Sequence, residues 1–135
     1  MPSSGTKRIV VDTYAWIEYF KGSKEGLKAK KYIEGDFLLF TPSIAIAELS
    51  SIYRREQIQE WDIRKKFIMV KSQALDIDEK TADRAGIMKQ ELRKNHKDAG
   101  LADAIVAAHA LETGAQLLTG DKHLRNLKGS IDITR

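Results

Sequence analysis

The sequence predicts an α/β protein in which a parallel sheet lies between two layers of helices. Three observations lead there. Apolar runs without alternation, Ile9-Val10-Val11, Phe37-Leu38-Leu39-Phe40 and Leu117-Leu118, suit strands covered on both faces. Between them lie stretches with helical periodicity, so strands and helices alternate along the chain. The length, 135 residues, fits one domain, 1–135, with one core.

The elements follow in order. Ile9-Val10-Val11 forms a first strand that runs directly into Asp12 and Thr13. Residues 14–20 read as a short helix stopped by Gly22 and Ser23, and 24–34 as a second helix closed by Gly35. After the strand at 37–40, Thr41-Pro42-Ser43 opens a helix to about Arg55, because proline is tolerated in a first turn and a hydroxyl can cap the free N–H groups. Trp61, Ile63, Phe67, Ile68 and Val70 give an apolar side to a helix over 60–72. A short strand is expected at 74–77 with a cap at Asp78, then a long amphipathic helix over 79–95 that contains Gly86. An alanine-rich helix over 101–113 ends at Gly114. The strand 116–119 leads to Gly120-Asp121, one helical turn and a last short strand near 131–133. No internal repeat or low-complexity segment interrupts this pattern.

Composition narrows the chemistry. With no cysteine and only three scattered histidines, neither a disulfide framework nor a zinc site follows from spacing, so a bound metal is expected to be held by oxygen. Residues 1–7 lack the apolar core of an export signal, and no apolar run approaches the roughly 20 residues that span a bilayer. A cytoplasmic protein is expected. The net charge is +4, with basic clusters at Arg54-Arg55, Arg64-Lys65-Lys66, 89–97 and 122–128. Each is accommodated as a solvated helix face, and together they permit a polyanionic partner.

Four acids stand out by position. Asp12 ends a buried strand, at the sheet edge where open α/β proteins bind ligands. Asp121 repeats the arrangement after Leu117-Leu118-Thr119-Gly120, although an Asx turn or helix cap would also explain it. Glu48 has Ile44, Ala45, Ser51 and Ile52 as its helical neighbours, and Asp103 has Ala99, Gly100, Val106 and Ala107. A buried, satisfied carboxylate remains open for Glu48, and a first-turn acid favoured by the helix dipole for Asp103. If the first and fourth strands are adjacent, all four acids converge. Two carboxylates about 4 Å apart repel by roughly 4 kcal/mol at an effective dielectric of 20, so such a cluster calls for protonation or a divalent cation. Oxygen donors select Mg²⁺ or Mn²⁺, ions suited to phosphodiester hydrolysis.

The motifs Val10-Val11-Asp12-Thr13-Tyr14-Ala15-Trp16-Ile17, Ser43-Ile44-Ala45-Ile46-Ala47-Glu48-Leu49, Leu101-Ala102-Asp103-Ala104-Ile105-Val106 and Leu117-Leu118-Thr119-Gly120-Asp121-Lys122-His123-Leu124, in this order, resemble the PIN domains. Within that family they resemble the VapC-type toxins of prokaryotic toxin–antitoxin pairs. The resemblance spans nearly the whole chain. It implies a three-layer α/β/α PIN-like fold with a five-stranded parallel sheet, and a metal-dependent endoribonuclease acting on RNA. It places Asp12, Glu48, Asp103 and Asp121 as catalytic metal ligands for Mg²⁺ or Mn²⁺, supported by the hydroxyls of Thr13 and Thr119. It also implies a homodimer held in check by a small antitoxin protein. Trp16, Tyr19, Phe20, Tyr53 and Trp61 could furnish an interface or fill the chain's own core. Tyr14 departs from the small residue frequent at its position, and Asp98 reads as a cap. The same family contains RNA-processing and RNA-decay members, and a catalytically weak RNA- or protein-binding module is a further alternative. A receiver domain would want adjacent acids after the first strand, and an Asp-nucleophile phosphatase an acid two residues after Asp12; Thr13 and Tyr14 occupy those places.

Overall fold

The computed structural model describes residues 6–135; residues 1–5, on which most of the reading of the N-terminal segment rested, lie outside the described residues. Five strands, β1 (Arg8–Val11), β2 (Leu38–Pro42), β3 (Ser72–Leu75), β4 (Gln116–Thr119) and β5 (Ser130–Asp132), form one sheet in the order β3-β2-β1-β4-β5. Every pairing is parallel. Six helices connect them: α1 (Thr13–Lys21), α2 (Lys24–Ile33), α3 (Ser43–Arg55), α4 (Trp61–Lys71), α5 (Glu79–Arg93) and α6 (Leu101–Thr113).

The unbroken apolar strands are explained by cover on both faces. Ile9, Val11, Leu39 and Leu118 pack with Trp16, Ile33, Leu49 and Ile68 from α1 to α4. Val10, Phe40 and Leu117 point the other way, against Leu92, Ala104 and Ala108 of α5 and α6. The alanines of α6 let that helix lie close to the strands. Of the five aromatics that could have furnished an interface, Trp16, Tyr53 and Trp61 are buried in the chain's own core, while Tyr19 and Phe20 are half-buried.

The α1–α2 hairpin is tight. Gly22 adopts a left-handed conformation that ends α1, and Gly26 packs so closely on α1 that a Cβ there would stand 1.9 Å from the Glu18 carbonyl oxygen. Beneath it runs a buried chain of donors and acceptors. Trp16 Nε1 donates to Thr41 Oγ1 at 3.1 Å, Thr41 Oγ1 lies 2.7 Å from Ser72 Oγ, and Ser72 Oγ donates to the Ile68 carbonyl at 2.7 Å. Since the Ser72 proton is committed to Ile68, Thr41 is the donor to Ser72.

Two local expectations are corrected. The third strand begins at Ser72 instead of Ala74, because β2 pairs Leu39 with Ser72 and the buried Ser72 hydroxyl closes the chain of hydrogen bonds just described. The α3 N-terminus carries no side-chain cap; the Ser43 hydroxyl donates to Asp76 Oδ1 at 2.6 Å, and Thr41 is drawn into the core.

Candidate active site

The strand order reverses direction between β1 and β4. At such a switch point the connections leave to opposite sides and open a crevice beyond the carboxyl ends of the strands. Asp12 lies there. It caps α1 through Oδ1, which accepts the Ala15 N–H at 2.9 Å, and its Oδ2 accepts the Thr119 hydroxyl. Pairing of Val11 with Leu118 makes this contact inevitable, since it sets the next residues of β1 and β4 side by side. Thr119 Oγ1 also accepts the Asp121 N–H at 3.0 Å, so one hydroxyl ties the two strand-end acids together.

Glu48 reaches the crevice from the second turn of α3, where Thr13 Oγ1 donates to its Oε1 at 2.7 Å. Asp103 comes from the first turn of α6. Its Oδ2 accepts the Gly100 N–H at 3.3 Å and lies 2.9 Å from His123 Nδ1. Asp121 Oδ1 accepts the His123 N–H at 2.8 Å, so the Asx turn foreseen as an alternative is present and uses only one carboxylate oxygen. All four acids line one cavity of about 180 Å³ together with Thr13, Tyr14 and Ile17. Glu48 Oε2, Asp103 Oδ1 and Asp121 Oδ2 accept no hydrogen bond among the described residues. A larger cavity of about 340 Å³ lies where β4 and β5 begin, walled by Met88, Leu111, Leu117 and Leu127 and without an acid.

Asp12 is 3 % exposed. Burial raises its pKa to about 7; the hydrogen bonds from Thr119 and Ala15 pull it down, and the charges of Asp121 and Glu48 push it further up. Desolvation therefore outweighs the carboxylate repulsion anticipated from the sequence.

His123 is the site residue that sequence spacing did not reveal. Its ring joins Asp103 at Nδ1 to Asp98 at Nε2, each at 2.9 Å, and Nδ1 lies 3.8 Å from Asp121 Oδ1. Burial works to lower its pKa, yet the bonds to Asp103 and Asp98 raise it above the ordinary imidazole value. One atom each from Asp103, Asp121 and His123 lie within 4.8 Å of one another. A donor set of oxygen alone thus leaves out the imidazole beside it. Asp98 is not a cap, as α6 is capped by Gly100; it is an exposed acid held by His123 and by Lys122 at 3.3 Å. The signal available in the sequence was the position of His123, two residues beyond Asp121.

The sheet order and the acids at its switch point define an acid-lined α/β/α protein. The PIN domain model matches residues 9–130, and the chain belongs to the PIN domain family. No curated protein matches the sequence. Among solved structures, a toxin–antitoxin complex from Klebsiella pneumoniae is similar at 20 % identity and a TM-score of 0.74, over 93 % of this chain and 97 % of that one. VapBC-1 from nontypeable Haemophilus influenzae shares 22 % identity with a TM-score of 0.66, over 95 % and 99 %. VapC20 from Mycobacterium tuberculosis, a sarcin-ricin loop cleaving toxin, shares 16 % with a TM-score of 0.65, over 84 % and 90 %.

Proposed function

We propose that this chain is a divalent-metal-dependent endoribonuclease and the toxin of a VapBC-type toxin–antitoxin pair. The observation that carries this reading is the convergence of Asp12, Glu48, Asp103 and Asp121 on one cavity, three of them with a carboxylate oxygen left uncommitted. Hard oxygen donors lining one cavity fit Mg²⁺ or Mn²⁺. Asp103, Asp121 and Glu48 would hold the ion, with Asp12 behind them. Bound there, it supplies a water nucleophile at neutral pH and offsets the charge on the phosphodiester. Thr13 and Thr119 orient Glu48 and Asp12 by hydrogen bonding, and His123 orients Asp103. Asp12 holds or releases a proton near neutrality, so its charge depends on what occupies the cavity.

The similar structures support a small antitoxin as partner and, by family resemblance, a homodimer in the cytoplasm. No helix among the described residues is long and apolar enough to cross a membrane.

Incubating the purified protein with total RNA in Mg²⁺, Mn²⁺ or EDTA, and mapping the cut ends, tests the reading. Discrete cuts that vanish in EDTA are expected. Undiminished cutting in excess EDTA, or none in either metal, would overturn it.

A further inference from the structure

Tyr14 lies in the first turn of α1, two residues beyond Asp12, and its surroundings are shaped to hold it. The half-buried ring is a wall of the cavity that contains the four acids. From α2, Glu25 accepts the phenolic proton, with its two oxygens at 2.9 and 3.1 Å. On the opposite side the ring leans on Gly120. A Cβ at Gly120 would stand 2.3 Å from ring Cε1 and 2.7 Å from Cδ1. Gly120 does not have positive φ, so its lack of a side chain serves the ring and not the backbone. The ring is thereby fixed beside Asp121 before any ligand arrives.

A cation completes the surroundings. Arg125 follows Asp121 by one helical turn, its N–H bonded to the Asp121 carbonyl at 2.9 Å. Its charge acts on Tyr14 and Asp132, yet its guanidinium makes no ion pair or hydrogen bond among the described residues. A ring held in the wall of the acid-lined cavity and an uncommitted guanidinium four residues beyond Asp121 match two parts of a nucleotide, base and neighbouring phosphate, beside acids suited to the scissile phosphate. Fixing the ring in advance removes the entropy cost of ordering it on binding.

We propose that Tyr14 is a nucleobase platform: one unstacked base of the substrate strand lies on the Tyr14 ring, with an adjacent phosphate on Arg125. The inference rests on the nuclease reading and deepens it by naming a residue that sets substrate preference. Stacking on an aromatic face tolerates any base, so the platform selects for an unpaired nucleotide and not for a letter of sequence.

Fluorescence anisotropy tests it with three labelled 12-mers, oligo(A), oligo(U) and an abasic ribose-phosphate strand, in Ca²⁺ with probe integrity checked on gels. The wild type is expected to bind oligo(A) roughly tenfold or more tighter than the abasic strand. Tyr14→Leu should lose most of that preference while binding the abasic strand as before, and Tyr14→Phe should keep it. Arg125→Gln should weaken base-bearing and abasic strands alike and flatten the salt dependence by about one unit of slope. Equal binding of oligo(A) and abasic strand by the wild type, or a preference that survives in Tyr14→Leu, would overturn the platform. If Tyr14→Leu does not fold, the wild-type comparison and Tyr14→Phe still decide. A wild type that binds none of the probes defeats both the platform and the nuclease reading, whereas binding without base preference defeats the platform alone.

Discussion

Replacing Asp12 by Asn should stabilise the metal-free protein above neutral pH. The carboxyl has an ordinary pKa of 3.8 and a folded-state value of about 7, so the folded chain binds its proton more tightly than the unfolded chain. Its contribution is fully present below about 3.8, declines as pH rises, and is gone above about 7. At about 1.4 kcal/mol per pH unit, roughly 4 kcal/mol is lost across that interval. Asparagine does not titrate and keeps an oxygen for the Ala15 N–H. It does oblige Thr119 Oγ1 to accept where it now donates, although that atom already accepts from Asp121. One hydrogen bond lost offsets about 1 kcal/mol. Asp12→Asn should therefore be about 3 kcal/mol more stable than wild type at pH 8 in EDTA, near 10 °C in Tm for a chain of this length, with the difference shrinking to below about 1 kcal/mol at pH 5. Histidines titrate in the same window: His123 is raised and His109 is lowered by burial. Their contributions are common to both proteins, so the readout is the difference between wild type and variant from pH 5 to 8.5. A difference independent of pH, or one that grows toward acid, would refute the assignment of a raised pKa to Asp12.

Three further outcomes are expected. Asp103→Asn should abolish RNA cleavage, and Mn²⁺ should raise its Tm by less than that of the wild type; equal metal-induced shifts would remove Asp103 from the ligands. His123→Ala frees the Asp103 carboxylate from its 2.9 Å contact and should weaken Mn²⁺ binding about 10- to 100-fold by calorimetry, with His123→Gln restoring part of it; unchanged affinity would make the contact incidental. Gly26→Ala places a methyl 1.9 Å from the Glu18 carbonyl and should cost about 1–3 kcal/mol or more by urea denaturation, because the obstacle is backbone and cannot rotate away.

The sequence by itself determined the sheet and its ends. Ile9-Val10-Val11 and Leu117-Leu118 must be covered on both faces, which forces helices onto both sides and leaves Asp12 and Asp121 beyond the strands' carboxyl ends. Glu48 and Asp103 were legible as acids on apolar helix stripes, an anomaly that local periodicity exposes without knowing what they face. Tertiary structure decided what those positions touch. The adjacency of β1 and β4 joins Asp12 to Thr119 over a separation of 107 residues, and no local pattern encodes which strands pair. Asp98 read as a cap, and His123 as one of three scattered histidines, because their relation runs across a turn and a helix start, 25 residues apart. The raised pKa of Asp12 is likewise a property of enclosure: desolvation depends on every atom packed around the carboxyl, and a linear sequence carries that only once folding has brought those atoms together.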